Sequence, residues 1–151
     1  MSRSPTGEEL SLAETLLRTF PLFRAVMVRA AQSAELGSLE RARLLHGLRD
    51  GPCRAGVLAQ AAKISPSTLS EVVEALESEG LVRREAESAD RRAVRVALTP
   101  EGRRQLQRFE HAAAVAIAER LATLSAAEKQ RLRAAFADVH TAFSPEAADA
   151  R

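Results

Sequence analysis

The 151-residue sequence predicts a mainly α-helical (α+β) fold in which a short β hairpin interrupts a series of helices. Three observations carry that expectation. Apolar residues recur at three- and four-residue spacing over most of the chain, the period of helices that bury one face. A Ser/Thr-rich helical segment, residues 65–79, is closed by Gly80 and followed at once by two short runs of alternating apolar and charged residues. Between those runs lies a polar, arginine-bearing segment, residues 85–92, too long for a tight two-residue turn. A helix leading directly into an arginine-tipped hairpin is the layout of a winged helix-turn-helix.

Each element has a local cause. Thr6, with Glu9 three residues on, forms a capping-box start. Leu12, Leu16, Phe20, Phe23, Met27 and Ala30 then follow at helical spacing. Pro21 lacks an N–H and crowds the preceding turn, so this helix is expected to kink or break there. Ser38 caps a second helix holding Leu44, Leu45 and Leu48, and Asp50-Gly51-Pro52 is a turn. A short helix follows through Val57, Leu58 and Ala61. Ser65-Pro66 restarts the chain with a capping hydroxyl and a proline at the first helical position. The buried stripe of that helix is Leu69, Val72, Val73 and Leu76; its other side carries Ser67, Ser70, Glu71, Glu74 and Ser78. Gly80 supplies the left-handed terminator. Residues 81–84 and 93–98 read as paired strands, with Val94, Val96 and Leu98 on one face and Arg95 on the other. Thr99-Pro100 opens a long helix through Leu106, Phe109, Ala113, Ile117, Leu121 and Leu124. Ser125 and Glu128 form a second capping box, opening a last helix with Leu132, Phe136, Val139 and Phe143. Residues 144–151 are expected to form a loose tail.

Composition excludes several classes of function. With 46% hydrophobic residues the chain can bury a real core. One cysteine permits no internal disulfide and suits a reducing, cytoplasmic setting. The first residues lack the apolar core of a signal peptide. The apolar run 112–118 is far short of the roughly 20 residues that span a membrane, so no membrane partner is expected. Trp and Tyr are absent, which argues against aromatic stacking on single-stranded nucleic acid. His46, His111 and His140 form no local metal motif. No phosphate-binding glycine loop, nucleophile elbow or triad emerges, so neither an enzyme nor a cofactor is expected.

The order of elements, with Asp90, Arg92, Leu98, Thr99 and Gly102 in the pattern Asp-x-Arg, five residues, Leu-Thr-x-x-Gly, resembles the MarR family of winged-helix transcriptional regulators. Gly80-Leu81-Val82 ahead of the hairpin fits as well. The resemblance is densest over residues 57–106 and continues from about 12 to 139. It implies a dimerisation helix at 6–36, a winged helix-turn-helix DNA-binding domain at 38–100 and C-terminal dimerisation helices at 101–143. It implies a homodimer straddling a pseudo-palindromic operator on double-stranded DNA, acting as a repressor. It also implies a pocket for a small-molecule effector, for which Arg24, Arg29 and His46 are the polar candidates. The apolar stripes of the flanking helices agree physically, because a small winged domain cannot cover them alone.

On this reading the recognition helix enters the major groove by its N-terminal end. Ser65, Ser67, Thr68 and Ser70 can donate to phosphates and base edges, Ser65 being the helix cap first of all. Residues 51–104 hold nine Lys/Arg and eight Asp/Glu, so the domain is not broadly basic. Its cations gather around the hairpin: Arg83, Arg84, Arg91, Arg92 and Arg95. Arg92 is the candidate for the minor groove, where narrow A·T tracts attract arginine. Asp90 orients an arginine or shapes the turn. Lys63 and Arg54 are candidate phosphate contacts. Glu71 departs from the family pattern, which often places a basic residue nearby. Glu74, Glu77 and Glu79 are read as a solvated face, and Cys53 as a small packed hydrophobe rather than a redox sensor. The acidic recognition helix leaves a rival reading, a winged-helix protein-interaction module that has lost DNA binding.

Overall fold

The computed structural model describes residues 4–86 and 94–144. Asp90, Arg91, Arg92 and the tail beyond Ser144 lie outside the described residues. The chain divides into two compact units, Met1–Ala114 and Val115–Arg151.

In the first unit, helix α1 (Gly7–Ser33) opens on the expected capping box: Glu9 accepts from the Thr6 N–H at 2.6 Å, and Thr6 Oγ1 accepts from the Glu9 N–H at 3.3 Å. Of the kink or break expected at Pro21, the break does not occur; the helix runs through it. Proline removes the partner of the Leu17 carbonyl, but Leu17 is 72% exposed, so solvent can donate to that oxygen and no buried orphan is left. Helix α2 (Leu39–Gly47) starts at Ser38, whose hydroxyl accepts from the Arg41 N–H.

Strand β1 (Cys53–Arg54) was not foreseen. Two residues carry no periodicity, and this pair is a strand only because it hydrogen-bonds to β3. Helices α3 (Ala55–Ala62) and α4 (Pro66–Ser78) form the helix-turn-helix. Strand β2 (Val82–Ala86) is longer than expected and begins one residue later. Glu85 and Ala86, assigned to the loop by their polarity and position, pair with Arg95 and Val94 of β3 (Val94–Leu98). The antiparallel sheet has the order β1-β3-β2.

The core is aliphatic. Leu36, Leu44, Leu45, Leu48, Leu58, Leu76, Val82 and Val96 are its largest fully buried side chains. Leu106, Phe109 and Ala113 of helix α5 (Pro100–Leu121) close it. The buried Gln105 amide donates to the Ala34 carbonyl, which gives a polar group inside this apolar core a partner.

The second unit contains the end of α5 and helix α6 (Ala126–Phe143), whose capping box from Ser125 and Glu128 forms as expected. None of the α6 side chains is buried; Phe136 is 47% and Phe143 75% exposed.

Candidate nucleic-acid interface

The turn between α3 and α4 sets the geometry. Lys63 ends α3 in the left-handed region at φ 54°, and the following Ile64 N–H returns to the Ala59 carbonyl at 3.1 Å. Lys63 itself is exposed. Ser65 caps α4, accepting from the Thr68 N–H at 3.1 Å, and Pro66 takes the first helical position. The Ser65 hydroxyl also lies 2.8 Å from both Ser67 Oγ and Thr68 Oγ1. Ser70 donates to the Pro66 carbonyl at 3.0 Å. All four hydroxyl residues are exposed, and a hydroxyl with one such bond retains capacity for others.

Leu69, Val73 and Leu76 turn inward, and Val72 is half-buried beside them. At 100° per residue, Ser67, Glu71, Glu74 and Ser78 form the ridge opposite the core; all four are exposed. Helix α4 ends as a Schellman motif: the Leu81 N–H reaches the Leu76 carbonyl at 2.9 Å, and Gly80 sits at φ 72°.

The four glutamates of this region divide into two pairs with different surroundings. Glu77 accepts from the Arg84 backbone N–H at 3.2 Å and from Arg84 Nη1 at 2.9 Å, which ties α4 to β2. Glu79 is paired with Arg41 of α2. The expectation that both are merely solvated is therefore corrected: each joins α4 to a neighbouring element. Glu71 and Glu74 form no ion pair among the described residues.

Among the described residues the hairpin arginines Arg83, Arg84 and Arg95 are likewise held. Arg83 is paired with Glu85, with Nε 2.8 Å from Oε1. Arg84 is committed to Glu77. Arg95 is half-buried, and its Nη2 donates to the Pro52 carbonyl at 2.6 Å, anchoring the turn before β1. Arg84 and Arg95 thus have structural partners that their spacing in the sequence did not suggest. Arg54 is exposed and occupies the N-cap position of α3 without a side-chain cap bond.

The root of the hairpin is locked to α5. Thr99 Oγ1 donates to the Gly80 carbonyl at 2.6 Å and accepts from the Gly102 N–H at 3.0 Å. A Cβ at Gly102 would penetrate the Leu81 carbonyl oxygen and sit 2.9 Å from its carbon. Residue 102 is therefore glycine because helix and turn touch backbone to backbone.

Glu101 is held below the usual carboxylate range by hydrogen bonds from Arg108 and then Arg104. Glu128 is lowered by the Ser125 side chain and then its backbone N–H. Cys53 is half-buried and donates to the Arg54 carbonyl at 3.6 Å, in keeping with a packing role. Among the described residues no three His, Cys, Asp or Glu side chains gather as a metal site, and no helix is long and apolar enough to cross a membrane.

A cleft of about 380 Å³ lies in the first unit, lined by Met27, Leu39, Arg43, His46, Leu58 and Phe109 among others. His46 lines it, with Nδ1 3.4 Å from Glu110 Oε1. Arg24 and Arg29 are exposed on α1 and do not line this cleft. Arg43 lines it instead. Its position three residues before His46 places both on one helix face, a signal available from the sequence.

Residues 38–93 match the model of the MarR family. No curated protein sequence matches the chain significantly. Among solved structures, RV1404 from Mycobacterium tuberculosis shares the fold with a TM-score of 0.79 at 24% identity, over 92% of this chain and 95% of that one. Sco3205, a MarR family transcriptional regulator from Streptomyces coelicolor solved in complex with DNA, is 27% identical with a TM-score of 0.66, over 96% and 93%. RV2887, a MarR family protein from Mycobacterium tuberculosis in complex with p-aminosalicylic acid, is 26% identical with a TM-score of 0.67, over 85% and 97%. The match to the MarR family model covers the helix-turn-helix and strand β2, and the chain resembles MarR family proteins along most of its length, at 26–27% identity to Sco3205 and RV2887.

Proposed function

We propose that the protein is a cytoplasmic, homodimeric repressor that binds a pseudo-palindromic operator in double-stranded DNA. One observation carries the reading: α4 buries one face in the winged core and leaves its hydroxyl-rich N-terminal turn and outward ridge exposed. A helix so mounted can enter a major groove with its N-terminus toward the phosphates. Ser67, Thr68 and Ser70 are the contacts from α4, and Lys63 and Arg54 meet phosphate. Asp90, Arg91 and Arg92 are further DNA contacts in this reading. Arg84 and Arg95, already bonded within the chain, set the hairpin's position more than they bind DNA. That Sco3205 was solved with DNA supports the same use of the shared fold.

The dimer is supported by apolar side chains left in water. Leu12, Leu17, Phe20 and Leu22 on α1 are each more than 60% exposed, and Phe136 and Phe143 on α6 are exposed as well. So many large apolar side chains exposed together are uncommon on monomers. A two-fold dimer would place recognition helices on half-sites about one helical turn apart. The cleft beside Arg43 and His46 is the candidate effector site, where a ligand would favour a form unsuited to DNA.

The test is a salt titration of binding to duplex from the gene's own upstream region and to a scrambled duplex. Sequence-preferring binding that weakens steeply with salt is expected. No binding to either duplex at low salt would refute DNA recognition and favour the interaction-module reading. Arg92→Ala should lower affinity roughly tenfold.

A further inference from the structure

Among the described residues nothing accounts for Glu71. It stands at the centre of the outward ridge of α4, fully outside the core. Helix α4 contains no Lys or Arg, so no i±3 or i±4 partner neutralises it. It lies beyond the first helical turn, where a negative charge would gain from the helix dipole. Glu74, three residues on, repels it. The carboxylates that do stabilise this region, Glu77 and Glu79, are each joined to an arginine of another element. Glu71 has no such partner among the described residues.

Resting on the DNA-binding reading above, we infer that Glu71 is a specificity-determining residue that accepts a hydrogen bond from the exocyclic amine of cytosine in the major groove. A carboxylate is an acceptor only. Among major-groove edges, guanine N7 and O6 and thymine O4 are acceptors and would be repelled. Cytosine N4 and adenine N6 are donors, and adenine sets its N7 acceptor beside the amine, where a second carboxylate oxygen would clash electrostatically. Cytosine is therefore the base that Glu71 tolerates best. Ser67, one turn earlier on the same ridge, lies 2.8 Å from the Ser65 cap hydroxyl; a helix docked with that N-terminus toward the phosphates would carry Glu71 into the groove. The same charge disfavours binding where no donor is offered, because it then faces phosphate and acceptor edges without compensation. Glu71 thus widens the gap between operator and non-specific DNA by penalising sites that offer it no donor.

The experiment is selection of bound duplexes from a random-sequence library by the full-length protein and by its Glu71→Gln and Glu71→Ala variants. Both substitutions are at an exposed position, and circular dichroism checks that the helix content is kept. The wild type should enrich cytosine at one fixed position of each half-site. Replacing that cytosine should weaken binding about 5- to 150-fold, the range one good base contact provides. Glu71→Gln should move the preference at that position alone to adenine, whose N6 and N7 an amide matches. Glu71→Ala should erase the preference there and leave the other positions unchanged. Enrichment by the wild type with the same base preferences in all three proteins would overturn the inference and leave DNA binding intact. So would a uniform rise in affinity in both variants, which would make Glu71 a repelling charge and nothing more. No enrichment by the wild type at low salt would remove the DNA-binding reading itself.

Discussion

Gly102→Ala is a one-methyl change that should destabilise the junction between wing and α5. The new Cβ would enter the Leu81 carbonyl group, with the Leu98 side chain 3.3 Å away. Backbone cannot rotate aside as a side chain can, so α5 must move off the turn. That movement strains the Thr99 N–H bond to the Leu81 carbonyl, 3.1 Å, and the Thr99 hydroxyl bond to the Gly80 carbonyl, 2.6 Å. Two lost bonds are worth about 2 kcal/mol, and forcing a methyl into a packed site costs about 1–3 kcal/mol. The better helix propensity of alanine returns at most about 1 kcal/mol. The net is about 3 kcal/mol, or roughly 6–12 °C in Tm for a chain of this size. Thermal and urea unfolding at one fixed protein concentration would measure it, since association alters apparent stability. Gly7→Ala is the control, because nothing lies within 4 Å of a Cβ there. A Gly102→Ala protein as stable as the wild type would refute the close-approach argument.

Three further outcomes are expected. Lys63→Gly should raise stability by about 1 kcal/mol, since Lys63 holds a positive φ that glycine adopts freely; if Lys63 meets a phosphate, the same variant should reduce the salt dependence of DNA affinity by about one counterion, read from a log–log salt titration. Ser125→Ala removes one half of the α6 capping box and should cost about 1 kcal/mol, measured by loss of helical ellipticity on heating; an unchanged melt would deny the cap any weight. Glu101 has its carboxyl lowered by Arg108 and Arg104, so its contribution is fully present above the usual carboxylate range and fades as pH falls through its lowered value. Glu101→Gln should therefore lower Tm at neutral pH and converge with the wild type in acid, and a difference constant across pH would count against that ion pair.

What was legible in the sequence is what the chain decides within a few residues. The capping boxes at Thr6 and Ser125, the Ser38 and Ser65 caps and the Gly80 terminator all close over three to five residues. Their hydrogen bonds are written in residue types at fixed offsets, and the apolar period then says which face is buried. The wing motif was legible as a pattern, yet its glycine acquired a cause only when Leu81 was found against it. A break at Pro21 and a loop at residues 85–86 both fail for a related reason. Whether a proline breaks a helix depends on the exposure of the carbonyl it frees, and whether a polar residue joins a strand depends on its partner across the ladder.

The sequence by itself determined the helices, their caps, the hairpin and the exposed hydroxyl-rich turn of α4. Only the tertiary structure decided which charges are spent inside the fold. Arg41 reaches Glu79 across 38 residues, Arg95 reaches Pro52 across 43, and Gln105 reaches Ala34 across 71. Such pairings have no period and no fixed offset; they exist because packing of the apolar core brings distant segments within hydrogen-bonding range. That is why Arg84 and Arg95 looked like free cations in the sequence and proved to be bonded. It is also why Glu71 and Glu74, two glutamates among four in the sequence, are set apart in the structure as carboxylates with no ion pair among the described residues.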